Sequence, residues 1–218
     1  MDVVIIGAGG HGRVVLDVLR SMGKFHVVGF IDADAGKSGG EVMGVPILGP
    51  IHLLQKLRKQ DPQIKGAIVA IGDNRVRRTY ADQVLESGLE LISAIHPSAV
   101  VSQTAKIGRN VLVAAGAIVG TEARIGDDVI INTGAVVDHE CLIGRGAHIG
   151  PAAALAGRVE VGEGALIGIG AKVVPCMKIG ANAIVGAGAV VIEDVAAGAT
   201  VAGVPAKVVR VEGGRQEA

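Results

Sequence analysis

The sequence predicts two folds in one chain: an α/β domain over residues 1–93, then a parallel β-solenoid of hexapeptide repeats over residues 94–211. Three observations carry this. From Ile95 to Val191 an aliphatic residue falls on every sixth position, seventeen times without a miss. The position four further on is small or apolar in every unit, from Ala99 to Val195. Before residue 94 the period is different: short apolar runs alternate with amphipathic stretches.

Taken in order, Val3–Ile6 reads as a buried strand and Gly10–Met22 as an amphipathic helix with Val14, Val15, Val18 and Leu19 on its apolar face. His26–Ile31 is a second strand, Ile51–Lys59 a second helix, Ala67–Ile71 a third strand and Arg75–Ser87 a third helix. Strands alternating with helices imply a parallel sheet covered by helices, Rossmann-like but about half the size of a full dinucleotide-binding domain. The two domains join near Leu91–Pro97.

A period of six fits neither the 3.6 of a helix nor the alternation of a long strand, so each hexapeptide must be a short strand plus a corner. Coiled into a prism, the aliphatic residue and its small companion point inward and stack on their like one coil away. Gly, Asn and Asp are expected at the corners, where they adopt positive φ cheaply. Stacked strands in such a prism would lie about 4.8 Å apart. The residues after 211 read as a disordered tail.

Composition fits a narrow prism. Of 218 residues half are hydrophobic, yet one Tyr and two Phe are the only aromatics, because such an interior has little room for rings. With 21 basic and 21 acidic residues the net charge is zero, which argues against nucleic acid as a partner. Cys141 and Cys176 form no disulfide framework, and Cys141 occupies an inward position. The opening MDVVIIGAGG has no basic leader and too short an apolar run for a signal peptide or membrane span, so a cytoplasmic setting is expected.

Chemistry enters with Gly7-Ala8-Gly9-Gly10-His11-Gly12, a G-x-G-x-x-G run after a strand and before a helix, with Asp32 closing the next strand. Such glycines let backbone N–H groups approach a diphosphate, and an acid at that strand end can bind a ribose hydroxyl or a base edge.

The runs GAGGHG (7–12), GFIDAD (29–34), IGDNRVR (71–77) and NTGAVVDHECLIG (132–144) together resemble the hexapeptide-repeat acetyltransferases that act on nucleotide-linked 4-amino sugars, the bacillosamine and perosamine type. Sialic acid O-acetyltransferase-like proteins share this layout. The resemblance implies a left-handed β-helix, a hand that the general rule for parallel crossovers would not supply. It also implies a homotrimer with acetyl-CoA bound between subunits, and a small N-terminal domain that holds the sugar nucleotide.

Acetyl transfer to an amine needs a base, and imidazole titrates near neutrality. His139 lies outside the inward positions of its unit and is the candidate base, with Glu140 as its helper. The resemblance places Asn132 near the reacting centre and His148 against the acetyl-CoA thioester. It places Gly9, Gly10, His11, Gly12, Asp32, Gly72 and Asn74 around the sugar nucleotide. Related sequences often carry two adjacent acids where this chain has Asp32-Ala33, which bears on which base is bound. Gly203, Pro205 and Lys207 belong to a terminal motif, VAGVPAK, that flanks CoA in such proteins or simply caps the last coil. The period never slips, so no inserted loop can build the CoA cleft and a neighbouring chain must help. No Ser or Cys stands beside a base, so direct transfer without an acyl-enzyme is expected.

The rivals are distinct. An O-acetyltransferase would use the same base. A non-catalytic solenoid would bind a sugar nucleotide without releasing CoA thiol. A zinc carbonic anhydrase would need three histidines across an interface, whereas only His139 and His148 lie well inside the repeat, so no metal is expected. A nicotinamide dehydrogenase would leave the solenoid unused.

Overall fold

The computed structural model describes residues 1–211; the expected tail, 212–218, lies outside the described residues. The chain divides into two compact units, Met1–Pro97 with Arg109–Leu112, and Ser98–Gly108 with Val113 onward. Residues 109–112 join the first unit because the Asn110 side chain accepts a hydrogen bond from Val69 N–H at 2.8 Å and the backbone of Val111 accepts one from Ala94.

The first unit is built on β1 (Asp2–Ile6), α1 (Gly10–Met22), β2 (His26–Ile31), β3 (Glu41–Val42), β4 (Val45–Gly49), α2 (Leu54–Gln60), β5 (Ile64–Val69), α3 (Asn74–Glu86) and β6 (Glu90–Leu91). Its sheet runs β3-β4-β2-β1-β5-β6 and is parallel except for the β3–β4 hairpin. β1 sits centrally with Val3, Val4 and Ile5 wholly buried, as a strand covered on both faces must be. The helices bury Leu54, Ala81 and Val84 against Val4, Ile6 and Val69.

Several expectations shift here. α1 turns Leu16 inward in place of Val14, which is 40% exposed; Val15, Leu16, Val18 and Leu19 make the stripe. The third strand starts earlier, at Ile64, and ends at Val69, because Ala70 onward must turn toward α3. The second helix opens with a 3₁₀ turn, Ile51–Leu53. The hairpin was not expected: its turn, Met43-Gly44, has φ of 51° and 76°, the twisted two-residue geometry in which Gly follows a non-Gly residue at positive φ.

The second unit is a parallel β-helix of three walls. Strands pair eighteen residues apart in unbroken register, Ile118 with Val136, Val136 with Ala154, Ala154 with Lys172. From Val113 to Val191 each sixth-position aliphatic is buried, and Cys141 stands among the small inward residues with no exposure. Backbone N–H groups climb from coil to coil, as from Ile118 to Ala135 O and from Gly120 to Val137 O, both 2.8 Å.

The corners depart from expectation. Positive φ recurs every sixth residue, but Glu122, Glu140, Ala152, Arg158 and Cys176 occupy it alongside Gly, Asn and Asp. The cost of about 1–2 kcal/mol for a side chain in that region is evidently outweighed by stacking. The glycines directly after the inward aliphatic serve a different need. A Cβ on Gly120 would lie 2.7 Å from the Asp138 backbone, so coil-to-coil approach, rather than turn geometry, excludes a side chain there.

Candidate active site

In the first unit, β1 delivers the glycine turn to the start of α1. Gly7 has φ 110°, and its Cβ would meet Ala70 O at 2.7 Å; a Cβ on Gly12 would collide with Gly7 O. These two glycines pack the turn. Gly9, Gly10 and Gly72 instead face open space, where a Cβ would touch nothing. The N-terminus of α1 has no side-chain cap and no acid in its first turn. Its partial positive charge is therefore left available to an anion.

Asp32 is 9% exposed, and its carboxylate is spent within the protein. Oδ2 accepts from Ala8 N–H at 2.8 Å; Oδ1 accepts from Asp34 N–H at 3.0 Å and from Lys37 Nζ at 3.1 Å. Burial works against its charge, but these donors outweigh burial and hold the carboxyl below its ordinary value. Asp32 thus braces the turn from behind.

Arg77 closes the IGDNRVR run without a motif of its own to mark its role. It is wholly buried on α3 and donates to Ile71 O (2.9 Å), Gly72 O (3.2 Å) and Asn74 Oδ1 (2.8 Å). It fixes the β5–α3 loop, and α3 itself is capped by Asp73, whose Oδ1 accepts from Val76 N–H at 2.8 Å. The one sequence signal for Arg77 is its spacing of three from Asn74 on a helix. His11 Nε2 is buried without a hydrogen-bond partner. Burial first, and the Arg77 charge second, lower the His11 pKa to about 4, so its ring is neutral at pH 7.

In the second unit, His139 and Glu140 occupy the corner after the strand Val136–Val137. His139 Nδ1 lies 3.0 Å from Glu140 Oε2, with both side chains about half exposed. An ionised carboxylate can only accept, so Nδ1 carries the proton and Nε2 the lone pair of the neutral ring. Asp138 does not touch the ring: its Oδ1 accepts from His139 N–H at 2.7 Å and fixes the backbone. Beside this corner runs a groove of about 440 Å³ lined by Val136, Asp138, Ala154, Lys172 and Pro175 among others. A larger hollow, about 650 Å³, lies along a different wall past Arg124, Leu142 and Glu160, and neither His139 nor His148 lines it.

Asn132 and His148 form a second pair. Asn132 Oδ1 accepts from Thr133 N–H at 2.8 Å, which orients its amide NH₂ toward His148 Nε2 at 3.1 Å. Asn132 follows the strand Ile130–Ile131, and His148 opens the strand His148–Ile149 stacked on it in the next coil. The VAGVPAK run forms a hairpin: Ala199–Ala202 pairs antiparallel with Lys207–Val211 beyond the last coil, and Lys207 Nζ reaches Glu193 at 3.5 Å. Gly203 and Pro205 lie in its exposed turn. Among the described residues no cluster of three His, Cys, Asp or Glu is placed to hold a metal, and no helix is long and apolar enough to cross a membrane.

Fold and site together define a hexapeptide-repeat acetyltransferase with a Rossmann-like N-terminal unit and a left-handed β-helix. Residues 2–84 match the family model described as the PglD N-terminal domain. The structure of PerB from Caulobacter crescentus, in complex with CoA and GDP-perosamine, is 48% identical with a TM-score of 0.90, covering 95% of this chain and 97% of that one. The acetyltransferase domain of PglB from Neisseria gonorrhoeae, with acetyl coenzyme A, is 39% identical with a TM-score of 0.88, covering 95% and 98%. The UDP-N-acetylbacillosamine N-acetyltransferase of Bacillus subtilis is 39% identical over 116 residues, 52% of this chain and 51% of that protein, so this match spans about half of each. The chain belongs to the nucleotide-sugar acetyltransferase family, enzymes that acetylate amino sugars with acetyl-CoA as co-substrate.

Proposed function

We propose that this chain transfers acetyl from acetyl-CoA to the 4-amino group of a nucleotide-linked 4-amino-4,6-dideoxy sugar, in the cytoplasm, with His139 as general base. The carrying observation is the 3.0 Å contact between His139 Nδ1 and Glu140, which leaves Nε2 as a free proton acceptor on the solenoid surface. The amine nitrogen attacks the thioester carbon as Nε2 takes its proton. The tetrahedral oxyanion then collapses, the C–S bond breaks, and the imidazolium returns the proton to the departing CoA sulfur. Glu140 holds the ring and balances the charge it gains. No residue is acylated. Cys141, the one nucleophile next in sequence, is inward, and burial pushes its thiol up from the ordinary value.

The groove past Val136, Ala154 and Pro175 offers an apolar bed for the pantetheine arm of CoA beside His139. The open glycines at the start of α1, over the neutral His11, suit a sugar-nucleotide diphosphate. Since the Asp32 carboxylate is engaged internally, the base is read by other groups at that strand end. Exposed apolar residues on one wall, Val100 (63%) and Ile118 (41%), support closure of three copies around the prism.

Thiol release from acetyl-CoA, with UDP- and GDP-linked 4-amino sugars and free sialic acid offered separately, tests the assignment. Turnover with one nucleotide amino sugar is expected, falling by about 10²–10⁴ in His139→Ala. Near-normal turnover of that variant would remove the base assignment, and turnover with sialic acid alone would make the enzyme an O-acetyltransferase.

A further inference from the structure

In the seventeen hexapeptides the second residue after the inward aliphatic carries a side chain in every unit but one; the exception is Gly157. The coil itself gives no reason for this glycine. Gly157 is absent from the positive-φ residues, and Ala115, Ala181 and Ala187 hold the same register position with a Cβ. The reason lies one coil earlier. Gly157 stands eighteen residues after His139, joined to it in register through Arg158 N–H donating to His139 O at 2.9 Å. A Cβ on Gly157 would fall well inside van der Waals contact of His139 Nε2 and Cε1, and 3.0 Å from Cδ2. The imidazole therefore occupies the volume that a side chain at 157 would fill, and the nitrogen over that volume is the one left unprotonated by the Glu140 contact.

We propose that Gly157 is a positioning residue for the acetyl transfer: its missing side chain lets the His139 ring lie against the following coil with Nε2 held in a fixed place. This rests on the reading of His139 as the base. Glu140 restrains the ring from its Nδ1 side, and the bare Gly157 backbone provides the floor. A methyl group at 157 cannot move the coil, but it can move the ring, because the colliding atoms are the far end of a half-exposed side chain. Gly157→Ala should therefore spare stability and damage catalysis.

The test uses turnover of the intact enzyme with acetyl-CoA and its amino-sugar acceptor, for the wild type, Gly157→Ala, His139→Ala and the double variant. A misplacement of about 1 Å can cost up to roughly a hundredfold, so Gly157→Ala is expected to lose about ten- to a hundredfold in kcat. Its melting temperature and its KM for acetyl-CoA should stay close to wild type. In the His139→Ala background the same substitution should change nothing further, since it acts only through the ring. Normal kcat in Gly157→Ala, or an equal loss in both backgrounds, would overturn the proposal while leaving His139 in place as the base. Should His139→Ala itself retain turnover, the base reading fails instead. Imidazole nitrogen NMR of Gly157→Ala then still decides whether the ring has left Glu140: a changed Nδ1 signature supports the positioning role, and a wild-type signature overturns it.

Discussion

Mild acid should destabilise the first unit through a single side chain, His11. Its Nε2 is buried without a partner, and burial together with the Arg77 charge lowers its pKa from 6.5 to about 4. The folded state therefore refuses a proton that the unfolded chain accepts. Stability from this source is complete above the unfolded pKa and drains away as pH falls from about 6.5 toward 4. At pH 5 the linkage relation gives a loss of about 2 kcal/mol relative to neutral pH. Asp32 titrates in another window: its carboxyl lies below 3.8, so its contribution persists until the pH falls beneath the ordinary carboxylate range.

The assay is urea unfolding of the wild type and His11→Gln at about pH 7.5 and pH 5, which bracket most of the His11 titration. Other acid-sensitive groups cancel in the difference. The wild type should lose about 2 kcal/mol more than the variant on acidification, because Gln carries no titrating proton. Equal losses in the two proteins would refute the reasoning, and would mean that His11 gains a proton partner or water access when the protein is in solution.

Glu140→Gln removes the anion at 3.0 Å from the ring but leaves a group able to hydrogen-bond it; for a half-exposed pair about 0.2–1 kcal/mol is at stake, or up to roughly fivefold in kcat. A loss as large as that of His139→Ala, or none, would contradict the division of roles between base and helper. Gly12→Ala forces a Cβ against Gly7 O and should cost about 1–3 kcal/mol of stability, read as a lower melting temperature. Gly9→Ala meets no atom and should leave the melting temperature unchanged while weakening sugar-nucleotide binding in calorimetry. An unaltered dissociation constant for Gly9→Ala would show that the diphosphate does not approach that turn.

The solenoid was legible because its inward residues answer to one geometric rule, repeated every six positions and enforced by burial. The corners were less so. Glu140 and Arg158 adopt positive φ where composition points to Gly or Asn, because the modest local penalty is set against a whole coil of stacking. In the first unit the glycine turn was readable from local chemistry alone. What Asp32 and Arg77 do was not, since the partners of a buried charge are chosen by tertiary packing: the acid turns back to Ala8 and Lys37, and the arginine inward to Ile71 and Gly72. The β3–β4 hairpin escaped for a simpler reason, as its turn is Met-Gly rather than Asn-Gly and β3 is only two residues long.

The His139 site shows where the remaining information lies. Along the chain His139 has Asp138 and Glu140 as neighbours, and these give it a fixed backbone and a carboxylate. Across the coils its neighbours are eighteen residues away on either side, Thr121 and Gly157, with Pro175 one coil further. Thr121 O accepts the Glu140 N–H at 2.8 Å, and Gly157 leaves room for the ring. A row of the sequence thus names the proposed base and its helper, while the column taken every eighteenth residue supplies the walls beside them. In a β-helix both directions are written in the sequence, because constant register converts a fixed offset into contact. The lone glycine among seventeen equivalent positions is conspicuous only in the column, and it falls directly beneath a histidine paired to a carboxylate, His139 with Glu140.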